Sequence, residues 1–332
     1  MDTLQSVLND VVAAKNVSFA VGMVGNSEGI TFSGAAGEAA DGRKAAEDTV
    51  FRIFSMTKAI GATAAMILIE RGQLSMDTPV ADILPDWSKL RVLEGFDGDS
   101  PVMREPKTQA TVRHLATHTS GLEYEFWNAD VPKYLELAQV PTILSGLKSS
   151  LHYPLTSDPG TRWGYGIGID WLGQVVEKVD GRRIDTFCQD EIFGPLGTTD
   201  TGFEPDGKQD RLSVVSMRQE DGGFAPVDLA PPSRPEVYGM GHALYSTAPD
   251  YMRFLRMVLR KGELMEAQAA EPPFGGFADP GQLGGTRLFM SPGPVWEPQA
   301  PGIDPWGAAR AFFAAGIRPG DTVHNALSYH MT

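Results

Sequence analysis

Ser55 and Lys58 stand three positions apart at the head of the most helix-like stretch of the chain, residues 51–72, FRIFSMTKAIGATAAMILIERG. Ile60, Ala64, Ile67 and Leu68 recur at helical spacing and Gly72 follows the last apolar position, so the pattern predicts a buried helix that stops there. Three residues is close to one turn, which brings the Ser55 hydroxyl and the Lys58 amine onto one face, within reach of each other. A serine hydroxyl becomes a useful nucleophile only when a neighbour takes its proton, and a lysine can do so only when burial or positive neighbours lower its pKa. An apolar pocket would supply that condition. The first turn of a helix also carries unpaired N–H groups, which favour developing negative charge. A Ser-x-x-Lys pair also arises by chance in a chain of 332 residues, so other residues must decide.

The rest of the chain excludes several classes. A formal net charge of −14 argues against nucleic acid or an anionic membrane as partner. The first sixteen residues have no basic n-region, and Leu4, Val7, Leu8, Val11 and Val12 mark an amphipathic helix, so no signal peptide is read and a cytoplasmic location is expected. No segment approaches the roughly twenty apolar residues of a membrane span. Cys188 is the single cysteine, which rules out a disulfide within the chain. His114 and His118 are four apart, as two metal ligands on one helix face would be, but Leu115 stands where the zincin motif needs Glu. No metal and no cofactor are expected.

Residues 18–25 and 30–37 read as a strand hairpin ahead of the Ser55 helix. Residues 93–107 carry Gly, Asp and Pro and read as a polar surface excursion. Residues 111–122 read as a short helix capped by Thr111 and ended by Gly121, and the aromatics from Tyr124 to Tyr134 suit a core edge or a pocket wall. A loop holding Tyr165 then runs into a helix whose Leu172, Val175, Val176 and Val179 face inward, followed by a helix over 182–197 and another over 248–261. Strands, a long helical stretch, then a strand again suggest an α/β layer interrupted by a helical insertion.

Three landmarks stand in order: Ser55-Met56-Thr57-Lys58, His118-Thr119-Ser120-Gly121-Leu122 and Trp163-Gly164-Tyr165, with the run from Tyr238 to Thr247, YGMGHALYST, further on. As a set, over about residues 1–270, they resemble the serine β-lactamase and penicillin-binding-protein superfamily. Within it they look like the family VIII carboxylesterases and the lovastatin-type acyltransferases. The resemblance implies an α/β (α+β) fold in which an antiparallel sheet is flanked by helices. The sheet layer would come from residues 1–54 and 210–272, the helical insertion from about 59–209, and the whole body from 1–272. It also implies the roles: Ser55 as the acylated nucleophile, Lys58 and Tyr165 as base and proton shuttle, and the Ser55 N–H as one donor of the oxyanion hole. The phenol would owe its part in proton transfer to the nearby Lys58 ammonium. Tyr124 and Trp127 are expected to line the acyl or alcohol pocket. His118 is expected to be a structural turn residue, and Asp170 to cap or brace its helix.

Ile167 stands two residues after the tyrosine, where the lactamase branch carries an asparagine that contacts the substrate amide, so a small-molecule ester is the expected substrate. From about residue 273 the family's further sheet strands are not recognisable. Residues 290–299, 306–316 and 318–330 are instead similar to the beginning of a phenylacetate-CoA-ligase-type enzyme, without its phosphate-binding loop or catalytic lysine. The expectation is a hydrolase body with its last strands replaced by an unrelated tail, 273–332. The strand candidates 286–291 and 321–328, or a second chain in a homo-oligomer, would then have to cover the sheet edge. Three readings stay open: an esterase, an acyltransferase using the same acyl-enzyme, and a truncated or fused β-lactamase-like product with little or no activity.

Overall fold

The amphipathic pattern of the first residues forms the helix Asp2–Ala13, which lies on the strands Phe19–Gly25 and Ile30–Ala40. The computed structural model describes residues 2–26, 29–260, 262, 287–290, 296–299 and 323–324. Strand Phe19–Gly25 is buried along nearly its whole length rather than at alternate positions. The reason is cover on both faces: Gly22 lies under Leu8 of the first helix, and Gly25 under Met252 of the helix Ala248–Leu259.

The sheet order is Val323–His324, Phe19–Gly25, Ile30–Ala40, Arg43–Lys44, antiparallel throughout. Of the tail's two strand candidates, the second therefore pairs with the sheet edge, Met23 opposite His324 and Val24 opposite Val323. The first forms Arg287–Met290, whose partner is Trp296–Gln299 and not the body sheet. Other positions of the tail lie outside the described residues.

The 93–107 segment lies largely at the surface and is regular: Val92–Asp97 pairs with Ser100–Arg104 as a hairpin. Gly95 and Pro101 break the alternation by which a strand is recognised, and Gly95 sits at a register shift. The expected helix over 182–197 is Ile184–Cys188 continued by a π-helical turn, Gln189–Phe193.

Two helices position the site. Thr57–Glu70 packs against Gly168–Asp180, where Leu172, Val175 and Val176 are fully buried, each contributing about 1.5–3 kcal/mol of apolar transfer. Met240 is driven between them. A Cβ on Gly61 would meet the Met240 side chain at 2.9 Å, and one on Gly173 would meet it at 2.7 Å, so both helices need glycine at the contact. That wedge carries the 238–247 segment to the head of the Ser55 helix. Among the described residues no helix is long and apolar enough to cross a membrane.

Candidate active site

The helix expected from residue 51 begins at Thr57. Phe51 and Arg52 are instead a short strand paired with Tyr245–Ser246, and the Ile53 N–H donates to the Leu244 carbonyl at 3.0 Å. Between strand and helix lies a 3-10 turn, Phe54–Met56, which Phe54 enters with φ of 40°, a left-handed conformation that costs a non-glycine residue of order 1–3 kcal/mol. The surrounding bonds hold the turn in place: Tyr251 OH donates to the Met56 carbonyl at 3.0 Å and Leu244 N–H to Thr57 Oγ1 at 3.2 Å. Within the turn that holds Ser55, the Met56 N–H donates to the Ile53 carbonyl at 2.9 Å and the Thr57 N–H to the Phe54 carbonyl.

Two donors converge on the Ser55 Oγ. Tyr165 OH lies 2.6 Å away and Lys58 Nζ 3.1 Å away. The Lys58 ammonium also donates to the Gly241 carbonyl at 2.8 Å and lies over the Tyr165 ring, 4.8 Å from its centroid. Only 1 % of Lys58 is exposed. Burial pushes its pKa down to about 7, while the Asp170 carboxylate pulls it back up. Asp170 is itself fully buried, and burial raises its carboxyl above the usual range against the opposing pull of Lys58.

The HTSGL turn places Tyr165. The Gly164 N–H donates to the His118 carbonyl at 2.8 Å, the Gly160 N–H to Thr119 O at 2.7 Å, and the Tyr124 N–H to Tyr165 O at 3.0 Å. Gly166 approaches so closely that a Cβ there would lie 2.2 Å from the Leu122 carbonyl oxygen. His118 adopts φ of 55° and is buried beside the Tyr165 ring. Burial and the Lys58 charge hold its imidazole down to about 3, so it is neutral and its Nδ1 accepts from the Gly166 N–H at 3.4 Å. His118 also lies beyond the end of the helix Val112–Ala116, so it shares no helix face with His114, whose Nδ1 accepts the Thr111 N–H at the N-terminal cap.

The two expected pocket residues divide. Tyr124 is only 5 % exposed and stands edge-on to Tyr165 at 5.0 Å, with Lys58 Nζ 5.1 Å from its ring centroid. Trp127 is 54 % exposed and contacts both Tyr165 and Trp163, at 5.8 and 5.7 Å between ring centroids. Phe126, 64 % exposed, and Trp163, 41 % exposed, complete an aromatic rim that single-residue reasoning did not assemble. The sequence signal was present in the proximity of Trp163 to Tyr165. Asp170 bonds its own backbone N–H and also a distant segment. It lies inside the first turn of its helix and accepts the Gly241 N–H at 2.8 Å across 71 positions.

A family model described as "Beta-lactamase" matches residues 6–322, a span that runs past residue 272. Among curated proteins, Acyltransferase mokF of Monascus pilosus is 34 % identical over 236 residues, 68 % of this chain and 57 % of that protein. Lovastatin esterase of Penicillium rubens is 34 % identical over 237 residues, again 68 % of this chain and 59 % of the relative. The chain therefore spans under two thirds of the length of the curated relatives it matches. Among solved structures, unliganded simvastatin synthase (LovD) from Aspergillus terreus superposes with a TM-score of 0.70 at 29 % identity, covering 79 % of this chain and 68 % of that one.

Proposed function

This chain belongs to the beta-lactamase family, and we propose that it is a serine esterase that hydrolyses short-chain carboxylic esters through an acyl-enzyme on Ser55. The observation that carries the reading is the convergence of Lys58 Nζ and Tyr165 OH on one serine oxygen. With Lys58 neutral, its lone pair accepts the Ser55 proton while Oγ attacks the ester carbonyl carbon. The Ser55 N–H donates to the developing oxyanion. Collapse of the tetrahedral intermediate breaks the carbon–oxygen bond to the leaving group, and the proton held by Lys58 passes through Tyr165 to the departing alkoxide. Water then repeats the sequence in reverse order, its proton going to the same pair, and releases the carboxylic acid and free Ser55.

In this reading Tyr124 and Trp127 line the acyl or alcohol pocket. Ile167, fully buried and apolar, offers no hydrogen bond to an amide, which supports an ester rather than a β-lactam. Turnover of p-nitrophenyl acetate and butyrate, lost in Ser55→Ala, is the test. Undiminished turnover in that variant contradicts the reading.

A second reading is favoured by relatives that carry acyltransferase names: the same acyl-enzyme passes its acyl group to an alcohol held on the exposed aromatic rim. Added alcohol that diverts the acyl group into a new ester at the expense of acid would support it.

A further inference from the structure

Three buried carboxylates differ in how fully they are satisfied. Asp250 is bonded to Arg253 Nη1 at 2.7 Å, to the Asp200 N–H at 2.7 Å and to Thr201 Oγ1 at 3.2 Å. Glu123 is bonded to Arg162 Nη1 at 2.8 Å and Asn128 Nδ2 at 2.6 Å. Both are saturated in the manner of a structural brace. Asp170 is as deeply buried but has no arginine. Its Oδ1 accepts the Gly241 N–H at 2.8 Å, and among the described residues its Oδ2 makes no hydrogen bond. The cation that opposes its charge is Lys58. The Gly241 peptide joins the two, with its N–H on Asp170 and its carbonyl receiving Lys58 Nζ at 2.8 Å.

We infer that Asp170 is a positioning residue of the acylation machinery: through the Gly241 peptide it fixes the Lys58 amine at Ser55, and its charge sets how readily that amine gives up its proton. The inference rests on the reading of Ser55 as the acylated nucleophile. A group that only braced a helix would bond no further than its own backbone, whereas this carboxylate, beside a bond to its own N–H, also reaches the Gly241 peptide of a different segment and interacts with the buried Lys58.

The other ionisable groups around the pair do not supply the opposing charge. His118 and His242 are both held down to about 3 by burial and by Lys58 itself, so both are neutral. The His242 Nδ1 lies 3.9 Å from Asp170 Oδ1, beyond a hydrogen bond. Burial raises the phenols of Tyr124 and Tyr153, with Asp170 adding to the effect, and the Tyr165 ring lies 4.8 Å from Lys58 Nζ.

The experiment follows the pH dependence of Ser55 labelling by a fluorophosphonate in the full chain and in Asp170→Asn. The asparagine keeps an oxygen for the Gly241 N–H but removes the charge. Loss of a negative neighbour destabilises the ammonium form of Lys58, so the acidic limb of the labelling rate should move to lower pH by about one unit, roughly tenfold in rate on that limb. Asp170→Ala, which removes the anchor as well, should label at least roughly tenfold more slowly at every pH. An unmoved limb in Asp170→Asn together with an intact rate in Asp170→Ala overturns the inference while leaving Ser55 as nucleophile. Failure of the unmodified chain to label at Ser55 overturns both. Should Asp170→Asn not fold, coupling is reciprocal and can be read from the other side. In Lys58→Met, carbon-13 NMR of the Asp170 carboxyl should show titration at higher pH than in the unmodified chain, and an unshifted titration counts against the proposal.

Discussion

The Tyr165 hydroxyl lies 2.6 Å from the Ser55 Oγ although 110 positions separate the two residues. The Tyr165 loop is held on the His118 turn by backbone bonds, and the Ser55 turn is held on the 244–251 segment, so the contact is the product of two separately anchored loops. A hydroxyl held this way needs no rearrangement to reach the Ser55 oxygen.

Tyr165→Phe keeps the ring that packs between Tyr124, Trp127 and His118 and removes only the oxygen. Ester turnover should fall by roughly 10²–10⁴-fold while stability changes by no more than about 1.5 kcal/mol. Steady-state kinetics beside a thermal melt separates the two; a large loss of stability with unchanged kcat would make Tyr165 a packing residue.

Burial depresses Lys58 to about 7, and the proposed mechanism uses its neutral amine. The sign follows directly. Above that value most of the lysine is free to accept the serine proton, and below it kcat/KM should fall by about tenfold per pH unit. Lys58→Arg, whose guanidinium stays protonated, should lose activity by orders of magnitude and show no such limb near neutrality. A pH–rate profile that is flat from 5 to 9 in the unmodified chain contradicts this assignment.

Trp127 is half exposed and Tyr124 is not, so truncating each should have a different effect. Trp127→Ala should raise KM for esters with bulky apolar groups by roughly 2–10-fold, with stability unchanged within about 0.5 kcal/mol. Tyr124→Ala removes a buried aromatic and should cost about 3–5 kcal/mol, visible as a lower urea midpoint.

The Met240 wedge can be probed away from the chemistry. In Gly173→Val the added carbons collide with the Met240 side chain, and the expected cost is about 1–3 kcal/mol in denaturant unfolding. An unchanged midpoint would mean that the two helices do not depend on that close approach.

The three side chains that converge at Ser55 were legible because each carries a local pattern: three-residue spacing for Ser55 and Lys58, and an aromatic–glycine–tyrosine run for Tyr165. The first hairpin was legible for the same reason. The strand at Phe51–Arg52 was not, because its ladder partner Tyr245–Ser246 lies nearly two hundred positions away and the apolar run before Ser55 suits a helix equally well. The hairpin at residues 92–104 was hidden by Gly95 and Pro101, which punctuate a loop as readily as they bend a strand. The Asp170–Gly241 bond had no sequence trace, since neither residue type announces a partner 71 positions on.

Intact-mass measurement after exposure to an activated short-chain ester tests the central claim most directly. The account predicts one acyl group added, mapped by peptide analysis to Ser55 and absent from Ser55→Ala. A protein that turns over the ester without any Ser55 adduct, or that acylates elsewhere with equal yield in the variant, would contradict it.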